Sequence, residues 1–491
     1  MTAAADTTFL WHDYETFGAD PRRDRPCQFA AIRTDSEFNE IGDPQMFYCQ
    51  PADDYLPHPQ ALLVTGITPQ QAKRDGLPEA EFAARIQALM AQPNTCTLGY
   101  NSLRFDDEVS RHLFYRNFFD PYAREWQNGN SRWDLIDLVR TFYALRPEGI
   151  VWPKKEDGSP SFKLEDLTQA NGITEGSAHD ALVDVRATIA LARLLKQKQP
   201  RLFEHLFKLK SKHQVAPLLQ LDQPKPLLHI SSRYPASRGC AAIVLPLAAH
   251  PTNPNGVLVY DLSVTPQPLF DLTVEQIHER VFTSASELAA RGLERLPLKV
   301  VHTNRCPVLL PAKAMEPHLA ERLGLNLEDN AVHWQQLQAA AGLDKKVQAV
   351  FEQASRHFPV SQDPDLRLYS GPFFSKQDQA ACAQVRAASA EALAEQQNWV
   401  FQDERLDEML FRYRARNYPD TLTTAERERW DEYRWQKMRS SQLSSLTLEG
   451  LQQELIKLSQ QPLTEDQVFL LQELQLYVES ILPLQFMDEL A

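Results

Sequence analysis

The chain has no C-x-x-C pair. Its six cysteines, Cys27, Cys49, Cys96, Cys240, Cys306 and Cys382, are scattered along 491 residues, a spacing that argues against a zinc site or a disulfide framework and predicts reduced, mostly buried thiols. Long apolar runs are also missing. No stretch approaches the eighteen or so uncharged apolar residues that span a bilayer, so no membrane partner is expected. The opening residues Met1-Thr2-Ala3-Ala4-Ala5-Asp6 lack a basic and then apolar leader, and a cytoplasmic location is expected. Basic charge is in deficit too, with 51 Lys and Arg against 65 Asp and Glu and a net charge of -14. That total weakens long-range attraction to a polyanion, yet physiological salt limits the reach of distant charge to about 8 Å, so a local basic groove remains compatible with it. There is no internal repeat and no low-complexity tract.

At 43% apolar content the chain can bury a sizeable core, and its length suggests two to four domains. The first two hundred residues read as α/β. Thr8-Phe9-Leu10-Trp11 predicts a strand ending near Asp13, followed by strands at Gln28 to Ile32 and Met46 to Cys49. A helix is expected over Glu79 to Met90, a buried strand over Thr97 to Tyr100, and a helix from Asp106 to Asn117, which puts Asp106 at a strand-to-helix junction. Asn101 reads as a structural residue of that turn. Ala178 to Lys196 is strongly helical in pattern, with Asp180 as N-cap. Gln197-Lys198-Gln199-Pro200 reads as a boundary. Residues from about 226 to 310 are β-rich, and beyond about 356 the chain turns helical, with starts at Ser375, Thr423 and Thr464, the last two fitting capping boxes. The expected domains are residues 1–198, 199–356 and 357–491.

Four acidic residues and one histidine stand out: Asp13 and Glu15 in Trp11-His12-Asp13-Tyr14-Glu15, Asp106 in Asn101-Ser102-Leu103-Arg104-Phe105-Asp106, and His179 and Asp184 in Ala178-His179-Asp180-Ala181-Leu182-Val183-Asp184. Each carboxylate lies in or beside an apolar segment, where an ion needs a positive partner to offset lost hydration. No Lys or Arg adjoins Asp13 or Glu15. Like charges about 4 Å apart repel by roughly 4 kcal/mol at an effective dielectric near 20, a repulsion that divalent cations reverse. Asp13 and Glu15, at i and i+2, share one face of a strand. His179 and Asp184 lie five residues apart, about 140° around a helix, so His179 is expected on the loop entering the helix and Asp184 on its second turn.

Such a set suits two-metal hydrolysis of a phosphodiester, with ions about 3.5 to 4 Å apart. Mg²⁺ prefers oxygen ligands and needs few anionic side chains. His179, with an ordinary pKa near 6.5, suits the general base.

Asp13-x-Glu15, Asn101-x-x-x-Phe105-Asp106 and His179-x-x-x-x-Asp184 resemble the three motifs of DEDDh 3′ to 5′ exonucleases, as does Thr65-Gly66-Ile67-Thr68. More specifically, Phe9 to Gly18, Arg25 to Asp35, Asn130 to Asp134, Ala144 to Ile150 and Tyr413 to Pro419 resemble the bacterial exodeoxyribonuclease I family. The resemblance implies a ribonuclease-H-like exonuclease domain, an SH3-like β-rich domain and a helical C-terminal domain. It implies processive release of 5′-mononucleotides from 3′ ends of single-stranded DNA, in repair or recombination, by a monomer using two Mg²⁺ ions, with Mn²⁺ able to substitute. Asp13, Glu15, Asp106 and Asp184 become the metal ligands and His179 the base. The implied partner is the acidic tail of single-stranded-DNA-binding protein, although no basic surface to receive it is recognisable around Pro311 and Glu316.

Strand binding without sequence choice needs cations for phosphates and aromatic faces for bases, each stacked base being worth roughly 1 to 3 kcal/mol. By resemblance, Glu15, Phe162 and Lys163 hold the 3′-terminal nucleotide, Lys163 replacing an arginine with a point charge. Arg111, Tyr122, Trp126, Arg140, Arg146, Asn255, Lys299, Asn304 and Arg367, with Tyr369, line the groove. Arg412, Arg414 and Arg416 are expected in salt bridges with acids such as Glu404, Glu408 and Glu426. Two alternatives stay open: an RNA-trimming 3′ exonuclease and a non-catalytic single-strand-binding protein on the same fold.

Overall fold

Strand β1 runs Thr8–Thr16 in the computed structural model, which describes residues 7–173, 181–355, 361–395, 399–483 and 485–486. It is longer than its apolar start predicts, so Asp13 and Glu15 lie inside it rather than past its end. The reason is pairing: β2 (Pro26–Thr34) runs antiparallel along its whole length, with Asp13 opposite Ala30 and Glu15 opposite Gln28. The chain forms two units. The first comprises residues 1–131, 175–189 and 360–491, the second 132–174 and 190–359.

In the first unit β3 (Gln45–Tyr48), α1 (Pro59–Thr65), α2 (Pro69–Asp75), α3 (Glu79–Met90), β4 (Thr95–Gly99) and α4 (Asp106–Arg116) follow. The strands lie in the order β3-β2-β1-β4. β4 is parallel to β1, from Thr8 opposite Thr95 to Trp11 opposite Leu98. Leu10, Tyr14 and Phe29 of the sheet pack on Phe82 and Ile86 of α3 and on Val109 and Leu113 of α4. Each such buried side chain contributes about 1.5 to 3 kcal/mol. Thr65-Gly66-Ile67-Thr68 is a helix break: Gly66, at φ +70°, closes α1 and the Thr68 hydroxyl accepts from Gln71 N to start α2.

The same unit holds the helices Lys376–Ala387, Arg405–Asn417, Thr424–Arg439, Leu448–Ser459 and Glu465–Ile481. Capping boxes form at Thr423 with Glu426 and at Thr464 with Gln467, and Ser375 caps its helix. Arg412 and Arg414 pair with Glu408 and Glu426, each at 2.8 Å. Arg416 instead turns to Asp54 at 2.8 Å and Asp365 at 2.6 Å.

β5 (Ser131–Asp134) leads into the second unit, which holds α5 (Leu135–Leu145) and α6 (Leu164–Ala170); α7 (Ala181–Lys198) passes from the first unit into the second. α7 stops at Lys198, two residues before Pro200, as the boundary at Gln197 to Pro200 leads one to expect; Pro200 itself opens the next element. It occupies the first turn of the helix Pro200–Lys208, where its missing N–H costs nothing. β6 (Leu227–Ile230), β7 (Ala241–Ala249), β8 (Gly256–Asp261), β9 (Leu298–His302) and β10 (Val308–Pro311) form an antiparallel sheet in the order β10-β6-β7-β8-β9. β7 carries a register shift after Pro246, which has no N–H to donate. Helices Val274–Phe282, Leu327–Ala339 and Leu343–Ser355 accompany this sheet, so the stretch is less purely β than its short apolar runs predict. All six cysteines are buried free thiols. Among the described residues no helix is long and apolar enough to cross a membrane.

Candidate active site

Two consecutive turns of local chemistry open one edge of β1. The β1–β4 pairing ends at Trp11 opposite Leu98, and Gly99 lets the two backbones stay close at that point: a Cβ there would sit 2.6 Å from the His12 carbonyl. Asn101 then takes φ +64°, a left-handed conformation that Asn tolerates better than most residues. The chain re-enters helix at Asp106, whose Oδ1 accepts the N–H of Tyr14 at 3.1 Å. The carboxylate thus fills the backbone position that β4 vacates. Tyr14 points the other way, its hydroxyl 3.0 Å from Ser110 Oγ, leaving Asp13 and Glu15 on the opposite face.

Asp184, on the first turn of α7 rather than the second because the described helix starts at Ala181, completes the group. Ala181 N donates to Gln28 Oε1 at 3.4 Å, so the start of α7 is tied to the strand beside β1. One carboxylate oxygen from each of Asp13, Glu15 and Asp184 lies within 4.8 Å of the other two. His179 and Asp180 lie outside the described residues.

Burial, then the charges of Asp106, Glu15 and Asp184, drive the Asp13 carboxyl well above the ordinary carboxylate range. His12 offers no relief. Burial and the Arg124 guanidinium lower it to about 4, so it is neutral at pH 7. An all-oxygen, mutually repelling donor set drawn from two chain segments, β1 and α7, fits a hard divalent cation, which supplies the missing positive charge.

The comparisons with known proteins accord with this geometry. The Exonuclease model matches residues 10–192, the Exonuclease I SH3-like domain model 210–353 and the Exonuclease I C-terminal domain model 362–481. Exodeoxyribonuclease I of Escherichia coli (strain K12) is 49% identical over 476 residues, 97% of this chain and 98% of that protein. The chain belongs to the exodeoxyribonuclease I family. Exonuclease I from Methylocaldum szegediense superposes with a TM-score of 0.92 at 48% identity, and E. coli exonuclease I in complex with a dA16 oligonucleotide with 0.90 at 48%; each match covers 97% of this chain and 100% of that one. As a member of the exodeoxyribonuclease I family the chain is a 3′ to 5′ exonuclease, a phosphodiester hydrolase dependent on divalent metal. This decides for an exonuclease over the non-catalytic alternative.

Beside Glu15 the exodeoxyribonuclease I fold leaves a cavity of about 880 Å³ lined by Thr16, Asp20, Asp24, His58, Phe105 and Ser445 among others. Its far wall is a polar hub that sequence spacing does not reveal. Asp24 accepts from Asp20 N at 2.7 Å, from the Tyr55 hydroxyl at 3.1 Å and from the Ser445 hydroxyl. His58 Nε2 sits 3.0 Å from Ser445 Oγ and 3.5 Å from Asp24, while the Tyr55 hydroxyl shares its single proton between Asp24 and the Phe17 carbonyl, 3.0 Å away. The C-terminal helices thereby reach the end of the strand that carries Glu15. Ser445 is 430 positions away from Glu15 in sequence, so no local motif could flag it.

The groove residues expected for an exodeoxyribonuclease I divide by exposure. Trp126 is 65% exposed, free for stacking. Tyr122 is half-buried under the Arg111 guanidinium, 5.3 Å from its ring centroid. Arg111 is buried and already held by Glu108 and Glu125, each at 2.8 Å, and by the Tyr369 hydroxyl at 3.2 Å. Arg367 pairs with Glu404 at 2.9 Å. In the second unit Lys163 is exposed just before α6, whereas Phe162 is buried edge-on against Tyr143 at 5.5 Å rather than displayed on a polar loop. Arg140 is buried against Asp137 at 2.6 Å, and Arg146 is half exposed, 3.8 Å from Glu316. Asn304 is exposed, Asn255 half-buried, and Lys299 rests its ammonium 3.5 Å over the Tyr234 ring.

Proposed function

We propose that Asp13, Glu15, Asp106 and Asp184 hold two Mg²⁺ ions, with Mn²⁺ able to replace them, and that His179 is the general base of an enzyme that removes 5′-mononucleotides from the 3′ end of single-stranded DNA. The observation that carries this reading is the convergence of Asp13, Glu15 and Asp184 oxygens within 4.8 Å. Ions held there would supply Lewis acidity, easing loss of a proton from water and offsetting charge on the leaving oxygen. The residues do the rest. Asp106, buried and fixed by Tyr14 N, sets the distance between the strand and the helix. Glu15 faces both the acidic group and the adjoining cavity, where a terminal nucleotide can sit. Lys163, Trp126 and Tyr122 neutralise phosphate and stack bases, and Arg111, Arg140, Arg146, Asn255, Lys299, Asn304 and Arg367 line the remaining path.

We further assign residues 1–198, 199–356 and 357–491 to the three domains, a cytoplasmic monomer as the working form, and repair or recombination as its setting. The acidic tail of single-stranded-DNA-binding protein is its proposed partner, and titration with a peptide of that tail tests it: no binding at micromolar concentration rejects the partnership. The function is tested by following mononucleotide release from 3′-labelled single-stranded DNA and RNA in Mg²⁺. DNA should be degraded, and Asp184→Ala should abolish release. Undiminished release by that variant rejects the metal assignment. His179→Ala should slow release while leaving strand binding intact, and loss of binding alone would contradict its role as base.

A further inference from the structure

A second cavity, of about 280 Å³, lies at the other end of α4 from Asp106. Tyr115, in its wall, is nine residues past Asp106, about 14 Å along the helix axis. Among the described residues the walls carry six aromatic rings, two arginines and one carboxylate, Asp120, whose Oδ1 accepts from Tyr122 N and Ala123 N. Tyr115, Phe119 and Tyr122 come from α4 and the turn after it, Phe373 and Phe374 from the loop before the helix Lys376–Ala387. Gly371, at φ +99°, turns that loop outward. Phe373 is 84% exposed, more than any other large apolar side chain among the described residues. Its ring meets Tyr122 edge-on at 6.0 Å, while Phe374 stacks on Tyr115 at 5.8 Å and is half-buried.

The cavity also holds a cation without a counter-ion. Arg386 lies 4.4 Å over the Phe119 ring and donates to the Phe118 carbonyl, and among the described residues no carboxylate comes within 4.0 Å of it. Arg405, on the same wall, is by contrast held by Asp403 at 2.7 Å. An exposed aromatic face beside an uncompensated guanidinium favours a flat, anionic, aromatic occupant. The volume lies just under the roughly 300 to 1,000 Å³ of cavities for drug-sized ligands, enough for a single base.

We propose that this cavity receives one unpaired nucleobase of the strand, 5′ to the nucleotide being removed, stacked on Phe373 and edged by Tyr122, with Arg386 facing a phosphate. The assignment rests on single-stranded DNA being the substrate. It gives the chain a holding point away from the acidic group, engaged only by strands long enough to reach it.

The test uses the full-length chain with Asp184→Asn and EDTA, binding 16-mer oligonucleotides that carry 2-aminopurine at successive positions. One internal position should change fluorescence on binding, and Phe373→Ala should abolish that change and weaken affinity by about 5- to 100-fold. Phe373→Trp should restore both. Arg386→Gln should lower the salt slope of binding by about 0.7 and Arg386→Lys should keep it. In an otherwise wild-type chain, Phe373→Ala should leave release from a trinucleotide unchanged. Unaltered 16-mer affinity and 2-aminopurine signal in Phe373→Ala overturn the proposal, as does equal loss on trinucleotides. Failure of the wild-type chain to degrade any single-stranded DNA would instead overturn the substrate reading.

Discussion

Glu79 shows how single side chains hold the first unit together. Burial alone would raise its carboxyl, but the Arg116 guanidinium, bonded at 2.8 and 2.9 Å, and Arg25 at 3.5 Å outweigh it and hold the group down to about 2. A carboxyl depressed in the folded state stabilises above its unfolded pKa, near 4.5, and that stabilisation is lost as pH falls through about 2. The difference amounts to about 3 kcal/mol. Glu79→Gln should therefore cost about 3 to 5 kcal/mol in urea unfolding at pH 7, because it leaves Arg116 buried without its partner, and the variant's deficit should shrink at pH 3. A deficit independent of pH would mean that Glu79 acts by packing alone.

Lys163 is the residue-scale counterpart in the proposed strand path. An exposed cation before α6 that touches one phosphate should contribute about 0.7 to the slope of log affinity against log salt. Lys163→Ala should remove that increment for single-stranded DNA and Lys163→Arg should keep it; an unchanged slope in Lys163→Ala removes it from the groove.

Among the elements, the departure of β4 from β1 is decisive, because the opened edge of β1 is what Asp106 occupies. Gly99→Ala would place a methyl 2.6 Å from the His12 carbonyl. The strand end must shift, and Asp106 with it. About 1 to 3 kcal/mol of stability should be lost, and kcat should fall by up to about 100-fold, the cost of roughly 1 Å of misplacement, with single-strand affinity in EDTA preserved. Equal kcat in the two proteins would show that the junction tolerates the shift. The loop bearing Ser445 acts on the other end of β1, through Asp24 and Tyr55. Ser445→Ala should lower kcat several-fold with KM little changed, and Ser445→Thr should recover most of it. A change in KM alone would place Ser445 in strand binding instead.

At the scale of the whole molecule, the net charge of -14 coexists with an arginine-rich interior. Asp54 is shared by Arg416 and Lys437, at 2.8 and 2.6 Å, and Asp365 by Arg416 and Arg412, joining residues more than 300 positions apart in one buried network. Many of the basic groups are thus spent internally, and the cations proposed to face DNA form a minority whose effect is short in range. A chain with this balance should bind single-stranded DNA steeply less well between 50 and 200 mM salt, while its stability, which rests on buried pairs, changes little over the same range; a parallel loss of both would contradict that division.

Much of the architecture was legible without coordinates because it is written in local patterns. Glu79 to Met90 forms a helix as its spacing requires, Thr423 and Thr464 cap theirs, and Asp13, Glu15, Asp106 and Asp184 announce themselves as charges in apolar surroundings. β1 was underestimated because its acidic end is held by partner strand β2 rather than by its own composition. Phe162 looked available beside Lys163, yet Tyr143 covers it, and Arg111 looked free although Glu108 and Glu125 already claim it. What the sequence by itself determined is the chemistry: an acidic set with no adjacent cation, in an order that resembles one family. Only the tertiary structure decided which of those groups converge, that Ser445 and His58 stand behind Glu15, and that Phe373 faces outward beside Arg386. Charge and periodicity are properties of neighbouring residues, whereas convergence and exposure depend on which distant segments pack together.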